Sequence, residues 1–182
     1  KKKGVELRES NRASTHVHVN VRDLTFSQYF NYITLYLILE DGLMSLCGER
    51  RKGNLFCMCN SYAEGLMHSL QEAVEEVETP GELAHSLAQD IFRYASVNVS
   101  ATPRLGSLEF RGMKAVDNAQ DINDWIYVLL ALKNASTKFS NPPEILAQFS
   151  EKGFEGFIKD TLPLKIRQLI PFETHYSDEV RG

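Results

Sequence analysis

The chain has 182 residues, of which 43% are apolar and 24% charged, and a formal net charge of −4. That is the composition of a soluble globular protein, long enough to bury a real core within one domain. It excludes a general nucleic-acid binder, which usually shows a basic domain, and no run approaches the ~18 apolar residues of a membrane span.

The basic triplet Lys1 to Lys3 leads into a short alternating segment in which Val5 and Leu7 share one face and Glu6 and Arg8 the other. The charged patch Arg8 to Arg12 reads as a turn, which would pair that segment in a hairpin with the strand beginning at Ser14. Ser14-Thr-His-Val-His-Val-Asn-Val21 alternates strictly. In a strand, Thr15, Val17, Val19 and Val21 would face a core, while Ser14, His16, His18 and Asn20 share the opposite face. The Cβ atoms of His16 and His18 would then lie about 7 Å apart, close enough to grip one ion or reach one phosphate. An apolar face explains why a strand stays in place, but not why its other face carries imidazole.

Thr25-Phe-Ser-Gln28 fits a capping box, and the apolar spacing after it predicts a helix to Cys47, stopped by Gly48. That helix is apolar around most of its circumference, so it should lie deep, across the sheet. Glu40 and Asp41 interrupt it and are expected to be a solvated edge rather than a catalytic pair. Glu49-Arg-Arg-Lys-Gly53 is a charged loop whose three cations suit either a phosphate or carboxylate cradle or plain solvation. Cys47, Cys57 and Cys59 are an odd number of thiols, expected to be reduced, and Cys57-Met-Cys59 lacks the second pair that a zinc site needs.

Ser61-Tyr-Ala-Glu64 and Thr79-Pro-Gly-Glu82 are further capping boxes, predicting helices near 61–77 and 79–93. His68 and His85 fall within them as surface or packing residues. Arg93 to Val99 returns to a period of two, with Ala95, Val97 and Val99 inward and Tyr94, Ser96 and Asn98 outward. A turn over Ser100 to Gly106 then makes a hairpin with Ser107-Leu-Glu-Phe-Arg111, where Leu108 and Phe110 face the core and Ser107, Glu109 and Arg111 face away. Asp121 is expected to cap a helix whose buried stripe is Ile122, Trp125, Ile126, Leu129 and Leu132. Asn141-Pro-Pro opens another helix to about Ser150, and Pro163 and Pro171 punctuate short outer helices.

His16, His18, Glu109 and Arg111 form a mixed set. A carboxylate with imidazole suits a divalent ion, and an adjacent Arg suits a phosphate or acyl-phosphate oxygen. Cation and metal around a phosphate is the arrangement that phosphoryl transfer uses. A His-x-His pair also occurs in metal-dependent hydrolases. Those need further ligands from other strands, and the remaining histidines, His68, His85 and His175, fall on predicted helices or the tail.

Ser14-Thr-His-Val-His-Val-Asn20, Arg51 and Asn54 ahead of Phe56-Cys57, Tyr94-Ala-Ser-Val-Asn98 and Leu108-Glu-Phe-Arg111 together resemble the amidoligases over residues 5–135 or so. These are carboxylate–amine ligases related to glutamine synthetase and glutamate–cysteine ligase, many of them encoded by bacteriophages. The resemblance implies an α+β, glutamine-synthetase-like fold, a curved antiparallel sheet with helices on its convex side, spanning 1–182 as a single catalytic domain. It implies ATP and Mg²⁺ as cofactors, with Glu109 and His16 as metal ligands. His18 would contact ATP phosphate, and Arg111 would bind the transferred phosphoryl group. Asn98, Arg104 and Arg51 would line the phosphate or carboxylate pocket, with Tyr94 in support. The implied reaction passes the γ-phosphoryl of ATP to a carboxylate, and an amine displaces phosphate from the resulting acyl phosphate.

The resemblance also implies small-molecule or peptide carboxylate and amine partners and a cytoplasmic setting, the bacterial host's if phage-encoded, with room for a homo-oligomer. It departs from the family in one place. An early Glu-x-Glu strand supplies much of the family's metal coordination, and nothing before His16 matches it, since Glu6 and Glu9 cannot share a strand face. Strands carrying that pair are therefore expected outside this chain. A non-catalytic relative with the same fold, kept as a binding or structural protein, is the main alternative.

Overall fold

The alternation in the His-x-His stretch and in Ser107–Phe110 becomes one small antiparallel sheet. A computed structural model describes residues 13–48, 51, 59 and 95–170. Strand β1 (Val17–Asn20) and the two-residue β2 (Val97–Asn98) both pair antiparallel with β3 (Ser107–Phe110), in the order β1-β3-β2. His18 lies opposite Glu109 on one side and Asn98 opposite Glu109 on the other. Beyond β1 an isolated bridge joins Ser14 to Lys114. Between that bridge and the Val17–Phe110 pair, the β3 side carries one residue more than the β1 side, the signature of a bulge.

Helix α1 (Phe26–Cys47) begins as its capping box requires, with the Gln28 amide donating to Thr25 Oγ1 and the Thr25 amide donating to Gln28 Oε1. It ends at Gly48, whose φ of 110° a side chain would resist. The rings of Tyr32 and Tyr36 meet Phe110 of β3 at centroid distances of 5.4 and 5.1 Å. On its other side α1 meets α3 (Ala119–Ser136) and α4 (Pro142–Thr161). The sheet covers one side of α1, and α3 and α4 cover others, which is why α1 is apolar nearly all round, while α3 also reaches β1. The architecture is α+β, with helix packed on the apolar face of an antiparallel sheet.

Several expectations shift. Of the strand predicted over 93–99, the described residues pair with β3 at Val97–Asn98. Val99–Ala101 is a 3₁₀ turn that runs into α2 (Thr102–Leu105), closed by Gly106 in the left-handed region. Ser96 does not face outward. It is fully buried at the bend before β2, and its hydroxyl donates to Glu40 of α1. Glu40 is accordingly no solvated edge but 2% exposed, whereas Asp41 is exposed as expected.

Asn118, not Asp121, caps α3. Its Oδ1 accepts from the Gln120 amide while its Nδ2 donates to Asp121, so the helix starts earlier than the first carboxylate suggested. The buried stripe of α3 is Trp125, Val128, Leu129, Leu132 and Ala135. Helix α4 starts at the predicted Asn141 cap and continues beyond Ser150, with a break at Gly153. A further helix, α5 (Leu164–Leu169), follows Pro163.

Cys47 and Cys59 are both buried. Among the described residues no helix is long and apolar enough to cross a membrane. The segment around Val5, the helices near 61–77 and 79–93, Tyr94, Cys57, His68, His85 and His175 lie outside the described residues, as does any strand preceding residue 13.

Candidate functional site

Antiparallel pairing on both sides of β3 puts His18 and Asn98 directly opposite Glu109. His16 Nδ1 lies 2.7 Å from Glu109 Oε1, and His18 Nε2 lies 3.8 Å from the same oxygen. Asn98 Nδ2 donates to Glu109 Oε2 at 2.6 Å, and Arg111 Nη1 stands 3.8 Å from that oxygen. The structure therefore brings together His16, His18, Asn98, Glu109 and Arg111. The β strands supply the spacing, and the packing of Val19, Leu108 and Phe110 against the core holds the face steady.

The arrangement fixes several protons. An ionised carboxylate only accepts hydrogen bonds, so the ring nitrogen of His16 facing Glu109 carries its hydrogen. The opposite nitrogen, Nε2, is 2.8 Å from Ser14 Oγ. Asn98 Oδ1 accepts from the amide and hydroxyl of Ser100, which caps the 3₁₀ turn and leaves the amide nitrogen for Glu109. His18 Nδ1 is paired with Ser107 Oγ at 3.1 Å.

Burial pushes the Glu109 carboxyl up, but the Asn98 hydrogen bond, Arg111 and the two imidazoles outweigh it and hold the group below its ordinary range. The His16 imidazole is lowered, first by burial and then by the Arg111 charge, against the opposing pull of Glu109. At neutral pH the cluster thus holds an ionised carboxylate, a guanidinium and a neutral His16. The His16 and His18 side chains remain 35% and 41% exposed, so a solute can reach them while Glu109, at 11%, lies beneath.

The other two candidates stand apart. Arg51 is 3% exposed, and its guanidinium turns to the main chain, with Nε donating to Gly112 O and Nη2 to Arg111 O, both at 2.9 Å. It holds the backbone that carries Arg111 rather than facing the imidazoles in those bonds. Arg104 is exposed on α2 and, among the described residues, makes no hydrogen bond or ion pair. Ser14 and Ser107 belong to the cluster but were not singled out as site residues in the sequence. The signal was there in the alternation, since each lies two positions before a member of the cluster.

As a metal centre the donor set is lean. Among the described residues no group of three or more His, Cys, Asp or Glu side chains is arranged to hold an ion. His16 and Glu109 are hydrogen-bonded to one another, so an ion shared between them would have to replace that contact. What the cluster offers as it stands is one buried carboxylate surrounded by cation and imidazole, with the imidazole edges open to an anionic solute. No family model, curated protein or solved structure matches the chain.

Proposed function

We propose that this chain is the catalytic domain of an ATP-dependent carboxylate–amine ligase on a glutamine-synthetase-like curved sheet. The observation that supports it is the convergence of His16, His18, Asn98 and Arg111 on Glu109, on the face of β1 and β3 opposite the core. Such a face suits phosphoryl transfer, in which the protein's part is positioning and charge neutralisation. Arg111 and the exposed edge of His18 would bind phosphate oxygens, and Asn98 would keep Glu109 ionised and oriented. Glu109 would offer a carboxylate oxygen to Mg²⁺, which commonly takes one or two protein carboxylates and completes its shell with phosphates and water. When bound, that ion would neutralise phosphate charge. The residues present fit this role in the limited sense that Glu109 supplies the one carboxylate oxygen.

Incubating the protein with Mg-ATP and an extract rich in carboxylates and amines should release ADP and phosphate and yield a new amide detectable by mass spectrometry. Wild-type protein should bind Mg-ATP in a titration calorimeter, and Glu109→Gln, in protein that circular dichroism shows to be folded, should lose at least about tenfold in affinity, since the amide lacks the charge. Equal nucleotide affinity in the two forms would remove Glu109 from the nucleotide site. One feature favours a second reading, a non-catalytic ligand-binding module. Both oxygens of Glu109 already have close protein partners, His16 and Asn98. That reading predicts nucleotide binding without ADP release.

A further inference from the structure

The hydrogen bonds around His16 form a chain that phosphate binding does not require. Ser14 Oγ lies 2.8 Å from His16 Nε2, His16 Nδ1 lies 2.7 Å from Glu109 Oε1, and Asn98 holds Glu109 Oε2 at 2.6 Å. The order is hydroxyl, imidazole, carboxylate, and each ring nitrogen has one partner. Glu109 can only accept, so it selects the His16 form with hydrogen on Nδ1 and a lone pair on Nε2. The hydroxyl of Ser14 must then donate to that lone pair. We propose that Ser14, His16 and Glu109 form a nucleophilic centre that transfers activated, negatively charged acyl groups, with Ser14 as the attacking residue.

The geometry supplies the elements of nucleophilic catalysis. A serine hydroxyl is a poor nucleophile until a base within hydrogen-bond reach takes its proton, and the base works best when a third group orients it. Ser14 is half-buried and His16 exposed at the surface, so a substrate can approach the hydroxyl. The Arg111 guanidinium on the same face favours an anionic acyl donor. In the first step Ser14 Oγ attacks the acyl carbon and its proton passes to His16 Nε2, while Glu109 stabilises the imidazolium. The bond to the leaving group then breaks and the leaving group takes the proton from Nε2, leaving an ester on Ser14. Water attacks that ester by the same proton route, releasing the carboxylic acid and restoring the hydroxyl.

The centre shares Glu109 with the ligase reading but uses neither nucleotide nor metal, so the two are tested by separate measurements. The test is labelling of the full chain by a fluorophosphonate probe, in the presence of chelator and without ATP, read by intact mass and peptide mapping. The expected result is one adduct per chain, on Ser14, absent from Ser14→Ala. Labelling should be slowed about a hundredfold in His16→Gln, the usual worth of a positioned base. Circular dichroism of each variant establishes that it is folded. Heat-unfolded wild-type protein should not react. No adduct on the folded wild-type protein, an adduct on another residue, or an undiminished rate in folded His16→Gln would overturn the proposal. Absence of ADP release from wild-type protein given Mg-ATP, with labelling intact, would count against the ligase reading alone.

Discussion

Asn98 can sit in only one orientation. Its oxygen is committed to Ser100 and its nitrogen to Glu109, so the amide is a connector between a helical turn and a buried carboxylate. Asn98→Asp keeps the shape and the capping oxygen but replaces the donor with a second anion. Two carboxylates at that separation cannot both ionise, so one pKa rises in the folded state. A raised folded-state pKa means that the folded form binds more protons than the unfolded one, and stability is lost as pH climbs through it. Asn98→Asp should therefore cost about 2–3 kcal/mol at neutral pH and recover part of that on mild acidification, in denaturant titrations at two pH values. An equal deficit at both would show that Asn98 and Glu109 are not coupled.

At this scale the sequence was legible where chemistry is local. The alternation around His16, His18 and Glu109 named the members of the cluster. It could not reveal that Glu40 would be buried, because its partner Ser96 lies 56 positions away and a carboxylate on a helix surface looks the same in either setting.

The elements show the same division between near and far. Thr25 and Asn141 cap their helices because both cap and partner lie within one turn. Asn118 and Asp121 compete for the start of α3, and Asn118 wins by pairing with Asp121 and extending the helix. The length of β2 was hidden, since Val99 stays buried whether it ends a strand or opens a 3₁₀ turn. Helix α4 carries a break that composition alone does not mark. Gly153 has φ 65° and ψ 175°, far from helix, and no atom lies within 4 Å of where a Cβ would sit. Its role is purely conformational, separating Phe149 from Phe154 and Phe157 so that the three rings can pack edge to face. Gly153→Ala should cost about 1–2 kcal/mol in a chemical-denaturation midpoint, from backbone strain alone. A neutral or stabilising result would mean that the break is not needed in solution.

At the scale of the described molecule, α1 lies between β3 and the helices α3 and α4. It rests on Phe110 through Tyr32 and Tyr36, while the Tyr32 hydroxyl donates to Leu129 O of α3 and Asn31 Nδ2 donates to Ser136 O and Phe139 O. Phe110 therefore joins the helical layers to the strand that carries Glu109. Phe110→Ala should cost about 3–5 kcal/mol by the loss of a fully buried ring. In protein that remains folded, it should also weaken whatever the polar face binds, because the strand loses its support. Unfolding curves and binding measured on the same sample check both. The pairing that creates this face has a temporal consequence. His18 and its partner Ser107 are 89 positions apart. A ribosome adding about 5–20 residues per second must work for several seconds after making the histidines before it makes β3. During that interval β1 has neither its carboxylate nor its neighbouring strand, so a prematurely terminated chain presents imidazoles without the group that orients them. The site can exist only in chains that have been synthesised past residue 111, which couples the appearance of its chemistry to the completion of the sheet.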